Sequence, residues 1–296
     1  MVCDIKVALS GFATLDYVAH AARRIVQEGT NPVALVPESW PRAGGAPLYA
    51  GKALVGSGCT VSLVVPIGRD QGGDIYAREA RASGLLLSAS TLNEGASTPT
   101  CVLIYQPSGE YCCFLDGGNI RDVVLSASQV AVITEADWVS ITAGPPELSE
   151  KVLESMAPSQ KLAWVVKADA GCFPDELACR LHARADVIFC NRNERDFLAS
   201  SGSGPAQQIV FETDGERGVR IFHTGQSCWL PTEGLVTTDP TGAGDTFAGG
   251  ALSVLIKDLS AVREAARTGL HAASQLLKIR SPMEVREPEV AEMPHE

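Results

Sequence analysis

A run of small residues before a carboxylate could carry out chemistry on a phosphate. Residues 239–247 read Asp-Pro-Thr-Gly-Ala-Gly-Asp-Thr-Phe, and an apolar stretch continues to residue 256. We expect a tight loop that leads into a helix, with Asp245 in the first helical turn. Unpaired backbone N–H groups and the helix dipole make such a helix start favourable for an anion. A carboxylate beside that anion is explained if it accepts the proton of a hydroxyl that attacks a phosphate. The run therefore predicts phosphoryl transfer to an alcohol, and the alternative is a glycine-rich turn that caps a core helix.

The elements that must position this run alternate between short apolar strands and helical segments. Asn191, Thr213 and Asp245 each follow a strand end, where ligands of open α/β sheets bind. The alternation predicts an α/β fold with a mostly parallel, doubly wound sheet and helices on both faces. Strands are predicted at residues 6–11, 59–65, 138–142, 163–167, 187–190 and 208–212, and helices at 46–56 and 73–83, the second with Asp74 near its start.

Two regions interrupt the alternation. Residues 16–44 contain short apolar pieces without a clean helical period. Residues 101–106 and 110–115 are predicted to pair as a hairpin around Pro107-Ser108-Gly109.

The run at residues 239–247 resembles the signature of the ribokinase-like (PfkB) family of carbohydrate and nucleoside kinases. The resemblance implies one ribokinase-like domain over residues 1–296, with a small β lid from about residues 13–43 and 98–118. A lid that closes over the acceptor would exclude water and suppress hydrolysis of the phosphate donor. ATP is the implied donor and Mg²⁺ the implied metal ion, and a homodimer through the lid is an implied assembly.

The resemblance assigns roles to the run itself. Asp245 corresponds to the catalytic base of the family, and the backbone of Gly242, Ala243, Gly244 and Asp245 corresponds to its anion hole. In some members the positions of Asp239 and Thr241 hold a monovalent cation. The C-terminal partner segment, residues 278–284, lacks the glycine that is common there, so cation activation is left open.

The acceptor side of the predicted site rests on four residues. Gly44 and Gly45 precede a predicted helix and resemble the glycine pair that holds substrate hydroxyls, with a plain connecting loop as the alternative. Asp16 matches an acidic residue that accepts hydroxyl hydrogen bonds, or is an ordinary turn residue. Tyr49 stands where the family usually has Asn. Its ring should either narrow the acceptor pocket or offer a stacking face.

The nucleotide side rests on three further patterns. Asn191 and Glu194 match an Asn-x-x-Glu motif, in which the Asn contacts phosphate and the Glu orients water on Mg²⁺. Alone, this pattern favours a helix cap followed by a solvated Glu, but its position between the two glycine motifs favours the functional interpretation. Thr213, Gly215 and Gly218 resemble a turn beside the nucleotide phosphates, with a plain hairpin turn as the alternative. His271 matches a helix that lines the adenine pocket, or is an ordinary helix residue.

Composition limits the classes of partner. The chain has 296 residues and a formal net charge of -11, which argues against a nucleic-acid surface or an anionic membrane. Nine cysteines without framework spacing, and an N-terminus without a secretion signal, predict a cytoplasmic protein. Residues 284–296 contain five Glu and two Pro and are expected to fray.

The function predicted from the sequence is transfer of the γ-phosphate of ATP to a hydroxymethyl group, with Asp245 as the base. A sugar or sugar-like molecule is the first acceptor class and a nucleoside the second. The rival from another class is a ligand-binding or regulatory protein that kept the fold and lost turnover.

Overall fold

The computed structural model describes residues 5–87, 91–93, 95–120, 123–232, 237 and 239–280. The predicted frayed tail lies outside them. The strands are β1 Lys6–Ser10, β2 Thr14–Ala21, β3 Val33–Leu35, β4 Arg42–Gly44, β5 Thr60–Val64, β6 Pro66–Gly68, β7 Thr91–Asn93, β8 Thr100–Tyr105, β9 Tyr111–Asp116, β10 Trp138–Ile141, β11 Lys161–Val165, β12 Val187–Asn191, β13 Ile209–Thr213, β14 Gly218–His223 and β15 Gln226–Pro231. The helices are α1 Ala46–Val55, α2 Gln71–Ala82, α3 Ala127–Glu135, α4 Pro146–Ser155, α5 Asp175–Arg184, α6 Arg195–Ser200, α7 Ala243–Leu255 and α8 Val262–Arg280.

Eight strands form the main sheet, in the order β15-β14-β13-β12-β11-β10-β1-β5. The six strands from β13 to β5 are parallel, and β14 and β15 add an antiparallel edge. Because neighbouring residues of a strand point to opposite faces, both faces need an apolar cover. Val7 and Leu9 pack in a core with α1, α2, α7 and α8, whereas Ala8 packs in a second core with α3, α4, α5 and α6.

A small sheet, made of β2, β3, β4, β8 and β9, stands apart from the main sheet. β2 pairs in parallel with β8 and antiparallel with β3 and β4. β8 and β9 form the predicted hairpin, with Thr100 opposite Asp116 and Tyr105 opposite Tyr111. These strands lie in the two regions where the alternation of strands and helices is interrupted.

The α/β class and the mostly parallel sheet are confirmed. The predicted start of the second helix is wrong by two residues: α2 begins at Gln71, because Asp70 caps it by accepting a hydrogen bond from the Gly73 amide at 2.7 Å. β2 was not predicted as a strand. In the part of the chain that the structure describes, no helix is long and apolar enough to cross a membrane.

Candidate active site

A cavity of about 470 Å³ lies between the small sheet and the carboxyl ends of the main-sheet strands. Its volume is typical of a site for a small molecule. Ten of the predicted site residues line it: Asp16, Gly45, Tyr49, Asn191, Glu194, Thr213, Thr241, Gly242, Gly244 and Asp245. The other six are not among its lining residues: Gly44, Ala243, Asp239, Gly215, Gly218 and His271.

The glycine loop, residues 239–245, enters α7 as the sequence predicts. Gly242 is the N-cap residue and has a left-handed conformation, φ 75°, which L-residues rarely adopt. Asp245 is the third residue of α7 and lines the cavity. The Ala243 amide donates to the Pro240 carbonyl at 3.0 Å. The amides of Gly244 and Asp245 lie in the first helical turn, where no i−4 carbonyl is available to them, so they can serve an anion in the cavity.

The surroundings of Asp245 make it a stronger base than an ordinary aspartate. The pKa of Asp245 is raised to about 6: removal from water is the largest cause, the charge of Lys167 opposes it, and the carboxylate of Asp16 adds to it. A carboxylate with this pKa is largely ionised at pH 7 and still binds a proton readily. Asp245 can therefore accept a proton from a hydroxyl bound in the cavity.

Lys167 lines the same cavity and was missed as a site residue. Burial alone would lower its pKa, but the Tyr111 hydroxyl and the Glu194 carboxylate raise it, so its ammonium group stays charged. Its Nζ lies 3.5 Å from the Tyr111 hydroxyl oxygen. The signal was available, since Lys167 ends a predicted strand of a sheet whose ligands bind at strand ends.

Asp16 lies on β2 and is almost fully buried. Oδ1 accepts a hydrogen bond from the Thr14 hydroxyl at 2.8 Å, and Oδ2 accepts one from the Tyr49 hydroxyl at 3.1 Å. Burial raises the pKa of Asp16, and the hydrogen bond from Thr14 and the charge of Arg42 oppose this effect. Each oxygen keeps a lone pair for a further donor such as an acceptor hydroxyl.

The ring of Tyr49 is buried and contacts both Gly242 and Arg280. A methyl group built on Gly242 would lie 2.5 Å from the ring, and the Arg280 guanidinium carbon stands 5.2 Å from its centroid. Only 4% of Tyr49 is exposed. Of the two roles expected for this ring, the geometry favours filling space at the pocket wall over offering a stacking face.

The Gly44-Gly45 pair is required by close contacts of the backbone. A Cβ at Gly44 would meet Oδ2 of Asp16 at 2.0 Å. At Gly45, whose φ is 89°, a Cβ would meet the Phe12 carbonyl at 2.2 Å. Gly44 thus lets β4 pass directly beside the carboxylate of Asp16, and Gly45 lets the start of α1 pass beside the Phe12 carbonyl.

Asn191 and Glu194 cap the turn that follows β12. The Asn191 side chain accepts from the Glu194 amide at 3.1 Å, and Glu194 Oε2 accepts from the Asn191 amide at 2.9 Å. Both residues also line the cavity, and Glu194 is 7% exposed, so it is not a solvated surface residue. Burial raises the pKa of Glu194, and the charge of Asp245 adds to that effect.

Of the other residues predicted to bind the nucleotide, only Thr213 lines the cavity. Thr213 ends β13 at the cavity. Gly218 begins β14, and a Cβ there would meet the Leu230 carbonyl at 2.1 Å, which gives this glycine a role in the hairpin. Gly215 lies in the turn between the two strands, and His271 is exposed on α8.

Asp239 is held by arginine side chains. Its Oδ2 accepts from Arg42 Nη1 at 2.8 Å, and Oδ1 accepts from the Thr241 amide at 3.1 Å. Burial would raise the pKa of Asp239, but these hydrogen bonds and the charge of Arg42 lower it below its usual value. The Thr241 hydroxyl is bonded at 2.8 Å to the Tyr105 hydroxyl of the small sheet.

The sequence of the chain matches a known protein family. The model of the pfkB family carbohydrate kinases matches residues 12–287. A nucleoside kinase of Methanothermobacter thermautotrophicus is 26% identical over 225 residues, which cover 70% of each chain. A fructokinase of Rhizobium leguminosarum bv. trifolii is 24% identical over 238 residues, covering 74% of this chain and 73% of that one.

Solved structures agree with these sequence matches. The crystal structure of ribokinase from Cryptococcus neoformans var. grubii, in complex with ADP, superimposes with a TM-score of 0.78 at 18% identity. The match covers 95% of this chain and 96% of that one. The fold is ribokinase-like, and the protein is a phosphotransferase with an alcohol group as acceptor. The chain belongs to the pfkB family of carbohydrate kinases, and within it the protein is a sugar or nucleoside kinase.

Proposed function

We propose that the protein transfers the γ-phosphate of ATP to a hydroxymethyl group of a sugar or sugar-like acceptor, with Asp245 as the base. The observation that carries the proposal is the position of Asp245 at the start of α7, on the wall of a cavity that Asp16 also lines. A base, helix-start amides and a hydrogen-bonding carboxylate for hydroxyls thus share one space.

In the proposed reaction the residues of the chain hold and deprotonate the acceptor. Asp16 accepts hydrogen bonds from acceptor hydroxyls, while Thr14 and Tyr49 fix its carboxylate. Asp245 takes the proton of the attacking hydroxyl. The amides of Gly244 and Asp245 stabilise the charge on the transferring phosphoryl group. Closure of the small sheet as a lid would keep water away from the donor.

Two observations bear on the acceptor class. Only 4% of Tyr49 is exposed and the Arg280 guanidinium lies over its ring, so this tyrosine offers little stacking surface to a base. This favours a sugar. Tyr111 lines the cavity from β9 and is 46% exposed, with Tyr105 at a ring-centroid distance of 5.4 Å behind it. That aromatic wall supports a nucleoside as the second candidate.

ATP as donor is supported by the structural relative that contains ADP and by the cavity side where Asn191 and Thr213 lie. Among the described residues, no group of three or more His, Cys, Asp or Glu could hold a metal ion by itself. Glu194, a buried carboxylate on the cavity wall, fits a Mg²⁺ that arrives with the nucleotide and keeps its water ligands. Such an ion would neutralise charge on the donor phosphates.

The test is an acceptor panel. Purified protein is incubated with ATP, Mg²⁺ and single sugars, polyols or nucleosides, and ADP release and phosphorylated product are measured. We expect product from at least one hexose, pentose or polyol, with higher kcat/KM than any nucleoside. A nucleoside preference would select the second candidate. ATP and acceptor binding without any product would support the non-catalytic alternative and overturn the proposal.

Glu194→Gln should slow turnover and raise the Mg²⁺ concentration needed for half-maximal rate. Gln keeps an oxygen that can accept from the Asn191 amide, so the turn is preserved while the charge is removed. Loss of a group that orients metal-bound water typically costs about 10–100-fold in metal affinity or activity. The measurement is a Mg²⁺ titration at saturating ATP.

The matched control for Glu194→Gln is Asp196→Asn, because Asp196 is exposed on the neighbouring helix. This control should titrate with Mg²⁺ like the wild type. If Glu194→Gln also does so at an unchanged rate, Glu194 is a capping residue only.

A homodimer through the small sheet belongs to the same proposal. Apolar side chains of β3 and β9 are exposed there, Leu35 at 52% and Phe114 at 59%. Exposed apolar patches on a sheet often mark an interface. Sedimentation analysis should give a dimer for the wild type and a monomer for Phe114→Glu. A monomeric wild type at micromolar concentration would contradict the proposed assembly.

A further inference from the structure

Two arginines meet at the base of the glycine loop. Arg42, from β4 of the small sheet, and Arg280, from the end of α8, both approach Asp239; their Nη1 atoms lie 2.8 and 4.0 Å from its carboxylate oxygens. All three side chains are largely buried, with exposures of 17%, 10% and 5% for Arg42, Arg280 and Asp239. Charges withdrawn from water to this degree are tolerated only when they are paired.

Arg280 contacts the backbone of the glycine loop directly before Gly242. Arg280 Nη1 donates a hydrogen bond to the carbonyl of Thr241, the residue before Gly242. The amide of Thr241 donates to Asp239 at 3.1 Å. Arg280 therefore contacts the loop directly at Thr241 and electrostatically through Asp239. Gly242, the next residue, is the left-handed N-cap of α7, so its position decides where the first-turn amides point.

A third contact of Arg280, with the ring of Tyr49, also restrains Gly242. The guanidinium of Arg280 lies over the Tyr49 ring, and that ring packs against Gly242. A cation over the face of an aromatic ring is attracted by the ring's quadrupole. Arg280 thus holds Gly242 both through the chain, at Thr241, and through space, at Tyr49. The residue itself is not among those that line the cavity.

We propose that Arg280 is a positioning residue for the glycine loop, whose guanidinium supplies the positive charge that Asp239 and the Thr241 carbonyl require, in place of a bound monovalent cation. The proposal rests on the proposed function of that loop as the anion hole. Asp16 and Asp239 contribute two negative charges to this cluster, and Arg42 and Arg280 contribute two positive charges. A metal cation added at Asp239 would meet two guanidinium groups at short range and be repelled by them.

The variants are Arg280→Ala and Arg280→Lys, with Arg267→Ala, an exposed arginine of the same helix, as the matched control. All rates are measured on an acceptor that the wild type phosphorylates. Wild-type turnover tests the proposed function, and only the ratio of variant to wild type tests Arg280. We expect Arg280→Ala to lower kcat by about 10–100-fold, the order of effect of small misplacements at a catalytic group. The acceptor KM should change little, Arg280→Lys should recover part of kcat, and Arg267→Ala should match the wild type.

Two measurements separate positioning from a structural role. Methylguanidinium at millimolar concentration should restore part of the rate of Arg280→Ala. K⁺ should also restore part of that rate. The wild-type rate should be the same in K⁺, Na⁺ and choline salts of equal ionic strength. Binding of AMP-PNP, a non-hydrolysable ATP analogue, needs no acceptor turnover, and Arg280→Ala should weaken it more than it weakens ADP binding.

Three results would overturn the proposal. The first is a wild-type kcat in Arg280→Ala. The second is a loss in Arg280→Ala that neither methylguanidinium nor Lys restores and that accompanies equal weakening of ADP and AMP-PNP, which would indicate a structural role only. The third is wild-type activity that depends on K⁺ or Na⁺, which would show that the arginine pair does not replace a metal cation.

Discussion

Asp245→Asn should bind ATP with near wild-type affinity and transfer phosphate about 10²–10⁴-fold more slowly, the usual cost of removing a general base. Asn has nearly the shape of Asp and leaves the backbone amides of the glycine loop in place. The proton is taken only as the hydroxyl attacks, so kcat falls and the KM values change little. Because the surroundings disfavour the charge of Asp245, neutralising it should leave the thermal stability equal or slightly higher.

The pH profile gives an independent measurement on the same residue. In the proposed mechanism the ionised form of Asp245 is the active one, and the pKa of Asp245 is about 6. For the wild type, kcat/KM should therefore fall about tenfold per pH unit below 6 and level off above about 7. The acidic limb should vanish in Asp245→Asn. The control is Asp258→Asn, an exposed carboxylate beyond α7, which should keep the wild-type rate and profile. An Asp245→Asn enzyme with wild-type kcat would refute the assignment of the base.

Gly242→Ala should lower both the stability of the protein and its kcat, the second large effect that we expect. The left-handed conformation of Gly242 costs an L-residue about 1–2 kcal/mol. The added Cβ would lie 2.5 Å from the Tyr49 ring, which has the Arg280 guanidinium over it and cannot move away freely. Overpacking of this kind adds about 1–3 kcal/mol. Displacement of the loop by about 1 Å would lower kcat by about 100-fold.

Gly244→Ala provides the matched comparison for stability. A Cβ at Gly244 meets no atom within 4 Å, and its φ is not positive. Its melting temperature should equal or slightly exceed that of the wild type, because Ala is the better helix residue. If Gly242→Ala melts and turns over like the wild type, the loop is not held where the structure has it.

The sequence predicts the main sheet well and the small sheet poorly, for a physical reason. Strands such as β1 and β12 are covered on both faces and appear as uninterrupted apolar runs. β2 mixes Asp16, Tyr17 and His20 with apolar residues, because its contacts are partly with the cavity. No local period distinguishes such a strand from a loop. The β8–β9 hairpin was predictable because its turn residues are characteristic.

The site was predictable where one segment carries the chemistry and not where it is assembled from distant segments. The glycine loop is contiguous, so Asp245 could be assigned from its neighbours. Arg42 and Arg280 support the glycine loop only because the start of β4 and the end of α8 both lie beside Asp239. The role of Tyr49 likewise depends on what covers its ring. His271, assigned from a matching helix position, is exposed and is not among the residues that line the cavity, so its role beside the adenine stays a prediction.

The bonds between the small sheet and the glycine loop join the side of the cavity proposed for the acceptor to the side proposed for the nucleotide. Arg42 and Tyr105, both on the small sheet, bond to Asp239 and Thr241. In the proposed mechanism, an acceptor that orders the small sheet would therefore also order the loop amides proposed to face the donor phosphates. By reciprocity, the factor by which the acceptor tightens nucleotide binding equals the factor by which the nucleotide tightens acceptor binding. With this coupling, dissociation constants measured for either ligand alone should underestimate affinity in the ternary complex, and ATP hydrolysis should be slow until both ligands are bound.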